Sequence, residues 1–221
     1  MTPLLGITDP VSSLSHYLGA LGILFAAGRL VPRVRGSTPR TLAVALYLVG
    51  VVGMFLASGT YHLLGNENPA REVFRHLDHA MIWVCITGTI AGIQVVARVG
   101  TRTTIGAVLA MGVVGLAVEQ VALRGLPAWV SPVLYVAMGW VGLHPVVRLT
   151  REHGLRYSVP VLIAGLFSTL GAILDALEWP MIYPGVVEGH EVMHFMIAIG
   201  MGFFFLAVDR CTQIEHALNP S

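Results

Sequence analysis

The sequence predicts an all-α membrane protein, a seven-transmembrane-helix bundle, and three observations carry that prediction. Of the 221 residues, 55% are hydrophobic and only 11% charged, with a mean hydropathy of +0.76. Several apolar runs are each long enough to cross the ~30 Å hydrocarbon core of a bilayer as a helix. The stretches between them are short and contain Pro, Gly or charge, so consecutive helices are antiparallel neighbours in a single domain spanning residues 1–221. A soluble chain would leave these runs unburied, and a membrane β-barrel would need many short alternating segments that are missing. The net charge of +1 and the lack of a basic tract argue against nucleic acid as a partner.

The spans fall at roughly 12–31, 41–64, 74–97, 103–123, 128–147, 157–177 and 187–208. No basic segment or small-residue cleavage site precedes span one, so it is expected to stay in the protein; its His16 is expected to hydrogen-bond within that span. Span two ends in Ser58-Gly59-Thr60-Tyr61-His62, which sets Ser58 and His62 four apart on one helical face. Span three opens on His76-Leu77-Asp78-His79. Here Asp78 is open to pairing with Arg75 or to capping the helix start, and His76 and His79 to supporting or interfacial roles. Glu119 and Asp175, toward the ends of spans four and six, are expected to snorkel to the interface, and His144 lies near a Pro on the opposite side. Glycines such as Gly50, Gly53, Gly112 and Gly115 are expected to let helices approach closely. Cys85 and Cys211 lack partner spacing and read as small packing residues.

Span seven carries His190, Glu191 and His194 in its first third. Ionisable groups inside a span are costly and point to function. Residues 190 and 194 share a helical face, so their imidazoles make half of a metal site for an ion such as zinc, which takes neutral His nitrogens and prefers four ligands. With seven spans, the end of span two and the starts of spans three and seven meet at one membrane depth. Three histidines, His62, His190 and His194, thereby converge with Asp78 and Ser58, and an intramembrane zinc site is the reading this convergence favours.

These residues also carry a resemblance over nearly the whole chain. SSLSHYLGALG, ASGTYHLL, RHLDHAMIW, LYVAMGW and PGVVEGHEVMHFM, in spans one, two, three, five and seven, resemble the bacterial haemolysin III members of the progestin and adiponectin receptor superfamily, relatives of the alkaline ceramidases. The resemblance implies His62, His190 and His194 as zinc ligands, Asp78 holding a water at the metal, and Ser58 as a neighbouring hydroxyl that supports the site or stabilises an oxyanion. The chain departs from the family at Ile86-Thr87-Gly88-Thr89-Ile90-Ala91, where an aromatic and a Pro usually follow Gly-Thr, and this bears on the shape of the cavity.

Three protein ligands would leave zinc a fourth position, as in catalytic sites. The expectation is a zinc-dependent intramembrane lipid hydrolase of ceramidase type, with Asp78 as general base whose acid form protonates a leaving amine, acting on a lipid amide within the bilayer. Two alternatives stand beside it. One is a receptor-like or membrane-perturbing protein with structural zinc. The other is an HExxH metalloprotease with Glu191 as base, since His190-Glu191-Val192-Met193-His194 fits that pattern.

The chain has no Lys, and an all-Arg basic complement points to a high-GC bacterial source. A multi-pass protein that resembles a bacterial family is expected in the inner membrane. Ten Arg (29, 33, 35, 40, 98, 102, 148, 151, 156 and 210) fall on one side and three (71, 75 and 124) on the other. The positive-inside rule places the side with ten in the cytoplasm, leaving the N-terminus and the histidines toward the outer face. A reporter fused to the C-terminus should therefore read as cytoplasmic; labelling of that end from outside intact cells would reverse the orientation.

Overall fold

The computed structural model describes residues 8–122, 125, 127 and 129–214, and Arg124, counted above on the Arg-poor side, lies outside them. Eight helices follow one another: α1 Pro10–Val34, α2 Thr38–Leu63, α3 Arg71–Val96, α4 Arg102–Ala122, α5 Val130–Val141, α6 Leu143–His153, α7 Leu155–Ala176 and α8 Gly189–Thr212. Because α5 and α6 form one continuous crossing, seven segments are long and apolar enough to span a membrane. Among the described residues no strand occurs, only an isolated bridge between Tyr183 and Val187. Most of the crossings are longer than the sequence windows, by up to five residues at span one, because helical pitch continues into the polar interface where hydropathy has already fallen, while α4 matches its window in length.

Local chemistry sets the helix ends. α1 starts at Pro10, whose missing N–H costs nothing at a first helical position. α8 starts in a reciprocal cap: Glu188 accepts from the backbone of Glu191, whose own carboxylate accepts from the Glu188 N–H at 2.9 Å. The interruption at Gly142 follows from Pro145, which cannot donate to the Val141 carbonyl and crowds it. α6 and α7 are separated by Gly154 at φ +92°, a backbone conformation that side chains with a Cβ rarely adopt.

α3 is the hub, touching α2, α4, α5, α6 and α8. Its closest neighbour is α2, and two glycines permit that approach. A Cβ on Gly50 would lie 2.7 Å from the Cys85 Cα, and one on Gly88 would lie 2.8 Å from the Leu46 carbonyl oxygen. A core of Tyr47, Val51 and Phe55 on α2, Cys85, Ile93 and Val96 on α3, Leu30 on α1 and Met201 and Val208 on α8 fills the half of the bundle near the α1–α2 turn. Cys85 and Cys211 are buried free thiols, as expected of packing residues. Large side chains on the outer surface, such as Phe25 at 85% and Val121 at 90% exposure, face the medium without protein cover, as lipid-facing residues do. At the Arg-rich end, Arg33 pairs with Asp209, Arg40 donates to the Thr212 carbonyl at 3.1 Å, and Arg210 donates to the Arg156 carbonyl at 2.6 Å. These contacts tie the ends of α1, α2, α7 and α8 together.

The α2–α3 contact gives a direct test. Gly50→Ala places a methyl group against backbone that cannot swing aside and should destabilise the protein by about 1–3 kcal/mol, whereas Gly22→Ala, whose Cβ meets nothing within 4 Å, should be neutral or slightly stabilising. Thermal unfolding in detergent micelles reads both.

Candidate metal centre

His62 sits in the last turn of α2, and His190 and His194 in the first two turns of α8. The antiparallel run of the helices brings these turns to one level, and a ligand nitrogen from each of the three lies within 4.8 Å of the others. The two measured edges join Nε2 atoms: His190 to His194 at 3.0 Å and His190 to His62 at 3.5 Å. His62 and His194 are buried and His190 is half-buried on the cavity side. Three histidines close enough to bind one metal ion are therefore present where the sequence placed them.

What the opposite ring nitrogens do is more informative. His62 Nδ1 lies 2.9 Å from Asp9 Oδ2, His190 Nδ1 lies 2.8 Å from Asp175 Oδ1, and His194 Nδ1 lies 2.9 Å from His16 Nε2. A carboxylate accepts, so Nδ1 of His62 and of His190 is the protonated nitrogen and Nε2 carries the lone pair. The third pair continues the pattern. With His194 donating to His16 Nε2, the His16 Nδ1–H faces Ser15 Oγ at 3.4 Å, and that hydroxyl donates onward to the Ser12 carbonyl at 2.9 Å. Three lone pairs directed at one another across 3.0–3.5 Å repel unless a cation lies between them. Tetrahedral zinc with ~2.0–2.1 Å bonds would space nitrogens by about 3.3–3.4 Å, between the two observed edges. The donor set and its spacing fit zinc.

Two expectations, for Asp175 and Glu119, are corrected by these contacts, and a third, for His16, is extended. Asp175 does not snorkel away but orients His190. His16 bonds within its own helix, to Ser15, as expected, and its Nε2 also reaches across to His194, while its ring meets Phe55 and His194 edge-on. Glu119 is 1% exposed and turned inward, 3.0 Å from His79 Nδ1 and 2.8 Å from Ser131 Oγ. Asp9, which sequence reasoning passed over, orients the third imidazole. Its backbone N–H also donates to the His62 carbonyl at 3.1 Å, so the start of α1 is clamped on the end of α2. Burial alone would raise the Asp9 carboxyl, but the hydrogen bond and attraction of His62, with His190 and Arg71 adding, hold it below the usual carboxylate range. An Asp immediately before the first span was the available signal; its partner was not.

Asp78 is outside the three-histidine cluster and lines one cavity with His62, His79, His190 and Ser58. Arg75 is committed to Glu72 at 2.9–3.0 Å, so it does not account for Asp78. Glu191 is taken up by its cap and by Ser12 Oγ at 3.3 Å on the α1 side, which removes it from the position a metalloprotease base requires. The cluster opens into a cavity of about 590 Å³, a volume in the range of ligand sites. Asp78 and Ser58 line it beside the histidines, and farther from them it is walled by apolar side chains including Ile90, Val146 and Phe204. Ile86, Thr89 and Ile90, from the stretch where the family resemblance lapses, are among its walls.

A family model described as haemolysin-III related matches residues 7–205. The chain belongs to that family. Membership of the progestin and adiponectin receptor superfamily is consistent with it. The match covers α1 through most of α8, and thus every residue of this haemolysin-III related site.

If the paired carboxylates tune the imidazoles, Asp9→Asn and Asp175→Asn should each weaken zinc binding by roughly 10–100-fold. The His190→Ala/His194→Ala variant should lose most of the metal. Chelator competition and metal analysis of the purified proteins measure both, and full zinc retention in the double variant would sink the assignment.

Proposed function

We infer that this membrane protein is a zinc-dependent hydrolase of lipid amides, working inside the bilayer on a substrate held in the cavity. The observation that carries this reading is the position of Asp78: a carboxylate beside, but outside, a three-nitrogen cluster that faces a lipid-sized apolar cavity. His62, His190 and His194 would hold the zinc. Bound there, zinc would supply Lewis acidity, making water nucleophilic at neutral pH and polarising a carbonyl.

The chain's own groups do the rest. Asp78 accepts the proton of the attacking water as the new C–O bond forms. The Ser58 hydroxyl lines the same cavity and would hold Asp78 in place with its single O–H. The apolar walls receive the hydrocarbon tail and keep bulk water from the reacting carbonyl, which strengthens every electrostatic contact there. Polar groups end and apolar walls begin within the same cavity, which suits an amphiphile whose reactive bond joins a head to an acyl chain. In the bacterial inner membrane, with the Arg-rich ends cytoplasmic, that bond would be met in the outer leaflet.

Asp78→Asn decides between this reading and structural zinc. It should retain zinc and melting temperature, because the three imidazoles and their carboxylates remain, while turnover of an N-acyl sphingoid lipid such as ceramide falls by about 100-fold or more. Undiminished turnover would reject Asp78 as the base. Joint loss of zinc and thermal stability, with no turnover in the parent, would favour a metal that serves folding in a receptor-like or membrane-perturbing protein.

A further inference from the structure

A second polar cluster lines the cavity and has no part in the reading above. Glu119 of α4 is buried, and one of its oxygens receives His79 Nδ1 at 3.0 Å and the Ser131 hydroxyl at 2.8 Å; the other meets no donor among the described residues. Tyr135 of α5 brackets the same imidazole, its hydroxyl 3.0 Å from Nδ1 and 3.5 Å from the His79 carbonyl oxygen. His79 and Tyr135 line the cavity, and Glu119 stands behind them.

A buried carboxylate served only by neutral donors is expensive. The ion-pair partner of Glu119 among the described residues is His79, and an imidazolium there would leave the pair uncharged overall. With Nδ1 committed to Glu119, Nε2 is the ring nitrogen left to exchange a proton. The arrangement repeats the carboxylate–imidazole pairs of His62 and His190, but on a histidine outside the metal cluster. The groups around it are Asp78 on its own helix, Glu119 on α4 and Tyr135 on α5. Asp78, His79 and the three histidines of the cluster all line the same cavity.

We propose that His79 is the general acid of the site, held and charged by Glu119 as its positioning residue, and that it protonates the leaving amine while Asp78 serves as base. The assignment rests on the amide-hydrolase reading. As the water oxygen bonds to the carbonyl carbon, its proton passes to Asp78. As the C–N bond breaks, the nitrogen takes a proton from His79 Nε2. Asp78 then returns its proton to the neutral imidazole, so one water is consumed, a fatty acid and an amine are released, and nothing is oxidised or reduced.

Leaving-group dependence tests this, because an amine must be protonated to depart and a nitrophenolate need not be. On a lipid amide, His79→Gln should lower kcat by about 100-fold or more, yet on a nitrophenyl ester of the same acyl chain by no more than about threefold, with zinc content unchanged. Glu119→Gln, which keeps the hydrogen bonds and removes the charge, should show the same selectivity at smaller size, and it decides the matter if His79→Gln does not fold. Equal losses on both substrates, or no loss on the amide, would overturn the proposal and leave Asp78 as both base and acid. A parent inactive on both substrates would overturn the hydrolase reading, and this assignment with it.

Discussion

Each imidazole has two nitrogens with opposite needs, and inside a membrane there is little water to meet either. That constraint organises the upper half of this protein. Directing three lone pairs at one point requires three protonated Nδ1 atoms to find acceptors elsewhere, and the acceptors come from α1 and from the end of α7. Four helices are thereby locked in register by three hydrogen bonds. A shift of one helix by a single turn, about 5.4 Å, would strand both a donor and a cluster nitrogen. The clamp of Asp9 on the end of α2, and the cap of Glu188 and Glu191 on α8, hold the helix ends that carry the histidines.

Packing differs along the membrane normal for the same reason. Near the α1–α2 turn no histidine cluster has to be accommodated, and α2 and α3 close to backbone contact at Gly50 and Gly88 around an apolar core. Toward the histidines the helices separate enough to leave the cavity. The break between α5 and α6 contributes, since Gly142, Leu143 and Pro145 all face the space it opens. The tight half supplies the rigidity that a metal cluster on three helical turns requires. In α3 the two halves meet: its C-terminal half is core, and its N-terminal half carries Asp78 and His79.

The polar groups that reading along the chain placed wrongly or incompletely share one property. Asp175 and Glu119, placed wrongly, and His16, whose bond within its own helix is only half its role, each partner a residue outside their own span. A lone acid near the end of an apolar window has the same local pattern whether its side chain turns to the headgroups or to a buried imidazole. His62, His190 and His194 were legible because alternation of the spans fixes which helix ends meet, and because the i, i+4 spacing of His190 and His194 fixes their common face. HExxH was legible too, and misleading, since local spacing cannot reveal that Glu191 caps its own helix and meets Ser12.

By itself the sequence determined the seven crossings, their alternation and the level at which the histidines gather. Those follow from hydrophobic length and helical period, which are local properties. Only the tertiary structure decided that Asp9, His16 and Asp175 hold the outer ring nitrogens, that Asp78 stands beside the cluster rather than in it, and that Glu119 backs His79. Each depends on the rotation of a helix about its own axis, which is set by side chains packing across the whole bundle and cannot be read from any one segment.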